Sequence, residues 1–437
     1  MKFTRLLSKY DYADLRIERG SESNVNLKDS ETKVYTGTFF GISVRVLKDG
    51  AWGFASTNNP ETDISGLLKK AENLSSIKKS TSSISAIAPV KKTIKDKYEI
   101  TDAGEQASEL LDAKKLMQGK DIISTIVSCS DVHTVNEFYS SEGSEIIQDY
   151  SYSYLTCLAV AKYKGLIQRA VETSSSRKGF NGLKTEKPCI DAGEKVQRLI
   201  TKSKPAPKGR FTVILDPEMT GVLTHEAVGH ASEADSVASA ESVFAGKQGK
   251  KIASELVNII DDPSMRYFGF YDYDDEGVKG KRTEIIRKGV LKNFINSRET
   301  AKETNAKPNG HARAEDASSV PIVRMSNTFF LKGKSCIDDV FDVPEAIYLK
   351  GMIGGSVDTF TGGFMFKAEE AYEIRNGEKK GLLRDVTITG NLLEILNNVI
   401  VVGNDFGTSP GMCGKLGQSV PVEDGGPHIQ VKDVVVG

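Results

Sequence analysis

An interval of five residues constrains this chain more than any other feature. His225 and His230 bracket the stretch His225-Glu226-Ala227-Val228-Gly229-His230, and they are two of only five histidines in 437 residues. Neutral imidazole is the commonest metal ligand, and a glutamate beside a ligand is the usual base of a zinc hydrolase. In the familiar metalloprotease helix the two histidines are four apart and share a face. Five apart on a regular helix, they diverge by about 140°, because each residue turns about 100°. They cannot then share one ion. A local π-turn, with its i→i+5 hydrogen bond, brings them onto one face, and such turns favour functional sites. Gly229, inside the interval, eases that distortion. The spacing therefore predicts a helix that is irregular near Gly229.

The preceding residues supply the start of that helix. Phe211-Thr-Val-Ile-Leu215 is an apolar, β-prone run that reads as a buried strand. Asp216 has the chemistry of an N-cap, and Pro217 suits the first helical position. Met219, Val222 and Leu223 then share a face to bury. The motif lies about two turns into a helix that leaves a strand.

The rest of the chain divides around this motif. Its length predicts two or three domains. Asp14 to Arg19, Glu31 to Thr36, Gly41 to Leu47 and Ala51 to Ala55 alternate as short strands, with Trp52 as a core anchor. Thr62 to Leu74 is an amphipathic helix with Ile64, Leu67, Leu68 and Ala71 on one stripe. Ile77 to Lys97, rich in Ser and Lys, reads as an exposed connection. A helix follows over Gly104 to Gln118. Strands come next over Ile122 to Ser128, Thr134 to Ser140 and Tyr150 to Tyr163, then a helix over Glu186 to Lys202. The Lys/Pro-rich run 201–209 is the clearest boundary. Beyond it hairpins turn at Lys288-Gly289 and Asn376-Gly377. Arg384 to Thr389 reads as a strand, Leu392 to Val399 as a short helix, and the end of the chain as glycine-rich loops able to approach a site closely. The expected units are an α+β subdomain over 1–76, a second over 98–202, and a β-rich domain over 210–437 that carries the metal-site helix. The fold class is α+β.

Composition excludes some functions. With 58 basic and 59 acidic residues the net charge is −1, which offers no electrostatic case for nucleic acid or an anionic membrane. No apolar run reaches about 18 residues, so nothing spans a bilayer as a helix. The N-terminus lacks a signal-peptide core. The five cysteines are scattered and odd in number, which argues against a disulfide framework. A cytoplasmic protein is the expectation.

A catalytic zinc needs a third protein ligand and an open position for water. The residues alone leave that ligand open. Glu233 and Asp235 follow His230 closely, with hydrogen bonding to the ligands as their plainer role. His133 lies in the expected second subdomain, and His311 and His428 have no distinctive ligand spacing. Cys413 stands in Pro410-Gly-Met-Cys-Gly-Lys415, where glycine neighbours let a loop thiol reach a metal.

Several stretches together resemble the TldD branch of the TldD/PmbA family. They are HEAVGH with Ser232-Glu-Ala-Asp235, Arg324-Met-Ser-Asn-Thr328, Gly354-Gly-Ser-Val-Asp358, Glu369-Glu-Ala-Tyr-Glu-Ile374, Val402-Gly-Asn-Asp-Phe406 and Cys413-Gly-Lys-Leu-Gly-Gln-Ser-Val-Pro-Val422. The resemblance is strong over 210–437 and looser over the first 200 residues. It implies a zinc metallopeptidase, with His225, His230 and Cys413 as ligands and Glu226 as general base. It also implies pairing with a PmbA-like homologous subunit around an enclosed cavity; the residues leave a homodimer open as well. The implied substrates are small, unfolded or modified peptides. Arg324, Asn327, Gly354 and Gly355 are candidates for holding the peptide, although turn and hairpin structure is the plainer account of them.

Two other functions fit the same motif. One is a zinc hydrolase of another amide. The other is a non-catalytic peptide-binding subunit with a structural metal. Glu226 separates them, because a structural site needs no base and is closed by four ligands.

Overall fold

Long strands build the first half of the chain. The computed structural model describes residues 2–77 and 80–437. A short helix α1 (Lys2–Leu7) leads into β1 (Tyr12–Lys28), β2 (Glu31–Lys48) and β3 (Ala51–Thr57), followed by α2 (Ile64–Ser75). Next come β4 (Lys91–Lys95), α3 (Ala103–Lys115), β5 (Ile122–Ser140), β6 (Glu145–Tyr163), β7 (Leu166–Ser176) and α4 (Glu186–Lys202). Strands β1 and β5 pair antiparallel from Asp14↔Ser140 to Lys28↔Ile126. The strands therefore form one seven-stranded sheet in the order β3-β2-β1-β5-β6-β4, with β7 also on β6. One side of each end is covered by helix. Leu67, Leu68 and Ala71 of α2 pack on Leu15, Val44 and Val46. Leu110 of α3 and Cys189 and Val196 of α4 pack on Val127, Leu155 and Cys157.

The second half is a smaller-stranded assembly around one large core. In an eight-stranded sheet the strand Gly209–Leu215 lies between Glu345–Asp358, parallel to it, and Ile429–Val436, antiparallel. A six-stranded sheet places Asn327–Phe330 beside Gln418–Gly426, whose outer neighbour is Gly407–Lys415. From Leu215 the chain enters α5 (Pro217–Val222), with the Asp216 carboxylate accepting from the Met219 amide at 2.8 Å. Met219, Leu223, Ala227 and Val228 of this segment bury into the core shared by both sheets.

Buried charge joins the halves. The Arg45 guanidinium reaches Asp14 at 2.6 Å and Glu276 at 3.0 Å, and Arg298 reaches Glu142 at 2.7 Å. Trp52 is half-buried at this seam and donates to Glu299 at 3.1 Å, so it ties the sheet to the second half rather than sitting inside the sheet's own core.

Some elements differ from their sequence reading. The stretch Ile77–Lys97 contains β4, a lysine-rich edge strand running parallel to β6. Arg384 to Thr389 is broken: one strand ends at Arg384, Asp385 turns with φ 57°, and the next begins at Thr387. The glycine-rich end is a regular hairpin of Gly407–Lys415 and Gln418–Gly426, turning at Leu416-Gly417 with φ 51° and 77°. No helix among the described residues is long and apolar enough to cross a membrane.

Candidate metal centre

The helix after α5 widens into a π-turn over Leu223–Gly229, and the His230 amide bonds back to the His225 carbonyl. That is the i→i+5 bond which the five-residue interval requires. The two imidazoles meet as a result, with ring centroids 5.4 Å apart and planes at 85°. Gly229 is needed for a second reason. A Cβ there would stand 2.0 Å from the Met325 sulfur, so only glycine lets this turn lie against Met325.

Cys413 arrives from the other side, 183 residues further on. It is a buried strand residue, not a loop thiol, and its backbone pairs with Val420 across the hairpin. Its Sγ lies 3.5 Å from His230 Nε2. One donor atom from each of His225, His230 and Cys413 lies within 4.8 Å of the other two, and among the described residues this is the one His/Cys/Asp/Glu group that could hold a metal. The donors fit zinc. A tetrahedral centre with ordinary Zn–S and Zn–N bonds needs an S···N edge of about 3.6 Å. A set of one thiolate and two imidazoles leaves a fourth position free. His225 Nδ1 is moreover buried with no partner, so its ring has a nitrogen uncommitted to the protein.

The site is electrostatically prepared for a cation. Burial alone pushes the Cys413 thiol up, but the imidazoles of His225 and His230 outweigh it and hold the thiol at about 5. Burial disfavours the imidazolium of His230, yet Cys413 and Glu233 raise it to about 10. Thiolate and imidazolium thus balance each other, and a divalent cation held by His225, His230 and Cys413 would displace the protons.

Around the three donors stands a supporting shell. Glu233, 2% exposed, accepts from His230 Nδ1 at 3.2 Å. Lys415, two residues beyond Cys413 on the same strand face, contacts Glu233 at 3.1 Å and Asp235 at 2.6 Å. Sequence reading missed Lys415, although the two-residue period of a strand puts it beside Cys413. Arg324 is wholly buried and donates to the backbone carbonyls of Cys413 and, at 3.2 Å, of Gln418. Asn327 is also wholly buried. Its amide donates to Asp262 O and Met265 O at 2.8 and 2.9 Å and accepts from the Gly269 amide at 3.0 Å. Both side chains brace the backbone and present nothing to a groove. Gly354 and Gly355 lie far along the exposed hairpin of strands 345–358 and 363–375.

Glu226 behaves differently from the residues on either side of it. Its side chain is 41% exposed, and its Oε2 lies 3.9 Å from His230 Nε2. It reaches the rim of the donor cluster without joining it.

Three family models match the chain: PmbA/TldA metallopeptidase domain 1 over residues 13–78, the central domain over 87–203 and the C-terminal domain over 208–437. The chain is 42% identical to the metalloprotease MJ0996 of Methanocaldococcus jannaschii, covering 97% of both sequences. It is 33% identical to a zinc metalloprotease TldD homolog of Saccharolobus solfataricus, covering 98% of this chain and 96% of that one. Its fold matches the crystal structure of TldE from Thermococcus kodakarensis with a TM-score of 0.83 at 20% identity, over 100% of this chain and 99% of that one. With all three domain models matched in order along its length, this chain belongs to the PmbA/TldD metallopeptidase family.

Proposed function

We propose that the chain is a zinc-dependent peptidase acting on small, unfolded or modified peptides, with His225, His230 and Cys413 as ligands and Glu226 as general base. The observation that carries this reading is the meeting of two imidazoles of one helix and a thiol from a distant strand beside one partly exposed carboxylate. A zinc ion bound there supplies Lewis acidity and a water acidic enough to lose its proton near neutral pH.

The chain's own residues do the rest. Glu226 stands where it can accept a proton from an attacking water and return it to the leaving amine. Glu233 fixes the His230 ring through Nδ1, so that Nε2 faces Cys413. Lys415 pairs with both Glu233 and Asp235 and offsets part of their charge beside the donors. Arg324 fixes the Cys413 backbone from within. The likeness to TldE supports a homologous PmbA-like subunit as partner. A cytoplasmic location is part of the same reading.

An exposed base beside a three-donor site argues against a purely structural metal, which four ligands would close. Chelator-stripped protein, alone and with its PmbA-like homologue, should hydrolyse unstructured peptides only after one equivalent of zinc is restored. Zinc binding without hydrolysis of any peptide would favour the binding-subunit alternative. Turnover of other amides but not peptides would favour the zinc hydrolase of another amide.

A further inference from the structure

Where the two halves face each other they line a partly open chamber of about 630 Å³. Val420 and Pro421, the cross-strand partners of Cys413 and Met412, form part of its wall. From the opposite side β6 contributes Tyr150 and Tyr152. The next tyrosine on that face, Tyr154, stacks on Phe268 at 5.4 Å between ring centroids. The chamber therefore adjoins the hairpin that carries the metal-site cysteine.

Three arginines line it, and two are committed. Arg16 donates to the Asp316 and Ser319 carbonyls and pairs with Asp275 at 3.6 Å. Arg313 donates to the Met325 carbonyl at 2.7 Å and stacks on Tyr271. Arg177 has no hydrogen bond or ion pair among the described residues. Its guanidinium lies 4.7 Å from the Tyr150 ring and 5.6 Å from that of Phe270. Nε and Nη2 are both screened from solvent and unpartnered. Burial holds this guanidinium below the ordinary arginine value, against the opposing pull of Tyr150 and Asp96.

Such a group is costly to keep unless something pairs with it. The nearby carboxylates have partners of their own: Asp96 pairs through Oδ1 with Arg266 at 2.8 Å, its Oδ2 remaining without a partner. Glu18 accepts from the Ala317 amide at 2.8 Å; Asp274 accepts from the amides of Glu276, Val278 and Ala312; Asp275 accepts from that of Ala314. The arginine is also fixed in place. It directly follows β7, and the next amide, of Lys178, is tied to Ser176 Oγ at 3.0 Å. A planar guanidinium clamped by two rings is open to a partner only in its own plane, and with Nε and Nη2 screened, Nη1 is the nitrogen left to meet a carboxylate as a charge-assisted donor.

We propose that Arg177 receives a carboxylate of the bound peptide, in the first instance its free C-terminal carboxylate, so that the chamber orients the chain end relative to the metal centre. This rests on the peptidase reading for the identity of the ligand, and not for the existence of the anion site. Tyr150 and Tyr152 then flank the last residues of the peptide, an apolar wall that reads no particular side chain.

The test is binding, separated from hydrolysis by the Glu226→Gln background. Three dye-labelled, alanine-rich octapeptides are titrated by fluorescence anisotropy into the full chain: free acid, C-terminal amide, and amide with one internal glutamate. The free acid should bind about 10- to 100-fold tighter than the amide, the range for charge-assisted hydrogen bonds. Arg177→Met, which keeps much of the packing between the rings, should abolish that ratio. Arg177→Lys should keep part of it, and serves as the folded control if Arg177→Met proves unstable. If the glutamate peptide matches the free acid, the carboxylate site stands and accepts acidic side chains too. Equal binding of acid and amide, an unchanged ratio in Arg177→Met, or no binding of any peptide overturns the proposal. A wild-type protein that hydrolyses these peptides without Arg177 dependence refutes the anchor and leaves the peptidase reading intact. Arg177-dependent binding with no hydrolysis by the wild type does the reverse.

Discussion

Gly229→Ala is the smallest change that tests how the π-turn is held. The added methyl would stand 2.0 Å from the Met325 sulfur and 3.2 Å from its Cγ. Ordinary carbon contacts lie at about 3.5–4.0 Å, so one partner must move by roughly 1.5 Å. Met325 has little room to do so, being fully buried in the core that also holds Leu223, Ala227 and Val228. Overpacking of this kind costs about 1–3 kcal/mol, and the better helix propensity of alanine returns at most about 1 kcal/mol. A net loss of about 1–2 kcal/mol lowers the melting temperature by about 2–4 °C per kcal/mol for a unit of this size. The helix is pushed off Met325 at the residue before His230, so zinc affinity should fall as well, by about 10- to 100-fold. Calorimetry and zinc competition against a chromophoric chelator read the two effects. Met325→Ala in the same chain makes room, so the double variant should be less impaired than the sum of the singles. If Gly229→Ala melts no lower and binds zinc like the wild type, Met325 does not constrain the turn and the packing argument fails.

Two further outcomes follow from groups around the sites. Lys415→Met removes the cation between Glu233 and Asp235; zinc affinity should drop about 10- to 100-fold with the fold retained, and unchanged affinity would show that this lysine does not support the ligands. Burial raises the Glu18 carboxyl to about 7, so the folded state holds a proton that the unfolded chain, ionising near the ordinary glutamate value, has released. The sign is that of an acid with a raised folded value: stability falls as pH rises from about 4.5 to about 7 and levels off above. Glu18→Gln should therefore gain stability relative to the wild type across that window, measured as urea midpoints at several pH values, and a gap that stays constant with pH would contradict the burial argument.

The metal helix was legible because its constraint is geometric. A five-residue interval between ligands admits few backbones, and the Asp216-Pro217 start fixes where the helix begins. The amphipathic helix Glu186–Lys202 and the turns at Lys288-Gly289 and Asn376-Gly377 were equally plain, the latter because both positions need positive φ. The hairpin carrying Cys413 was not. Its glycines and prolines obscure the two-residue alternation, and the strands gain their regularity from pairing with each other and with Asn327–Phe330. Arg324 and Asn327 drew attention as polar residues in a distinctive stretch, but sequence cannot distinguish a side chain facing substrate from one satisfying buried carbonyls. The Arg177 chamber is invisible in sequence, since it arises only where β1, β5 and β6 meet the 270–275 and 313–318 segments across the two halves.

The central claim is that Glu226 is the base and not a ligand. The direct measurement is zinc content together with peptide turnover for Glu226→Gln and His225→Ala, alone and with a PmbA-like homologue added. Glu226→Gln should keep its zinc and lose about 10²- to 10⁴-fold in turnover, the usual contribution of a general base. His225→Ala should lose zinc and turnover together. The account is contradicted if Glu226→Gln loses zinc as completely as His225→Ala, which would make Glu226 a ligand or a structural group. It is equally contradicted if Glu226→Gln turns peptide over at the wild-type rate, which would move the base to another residue.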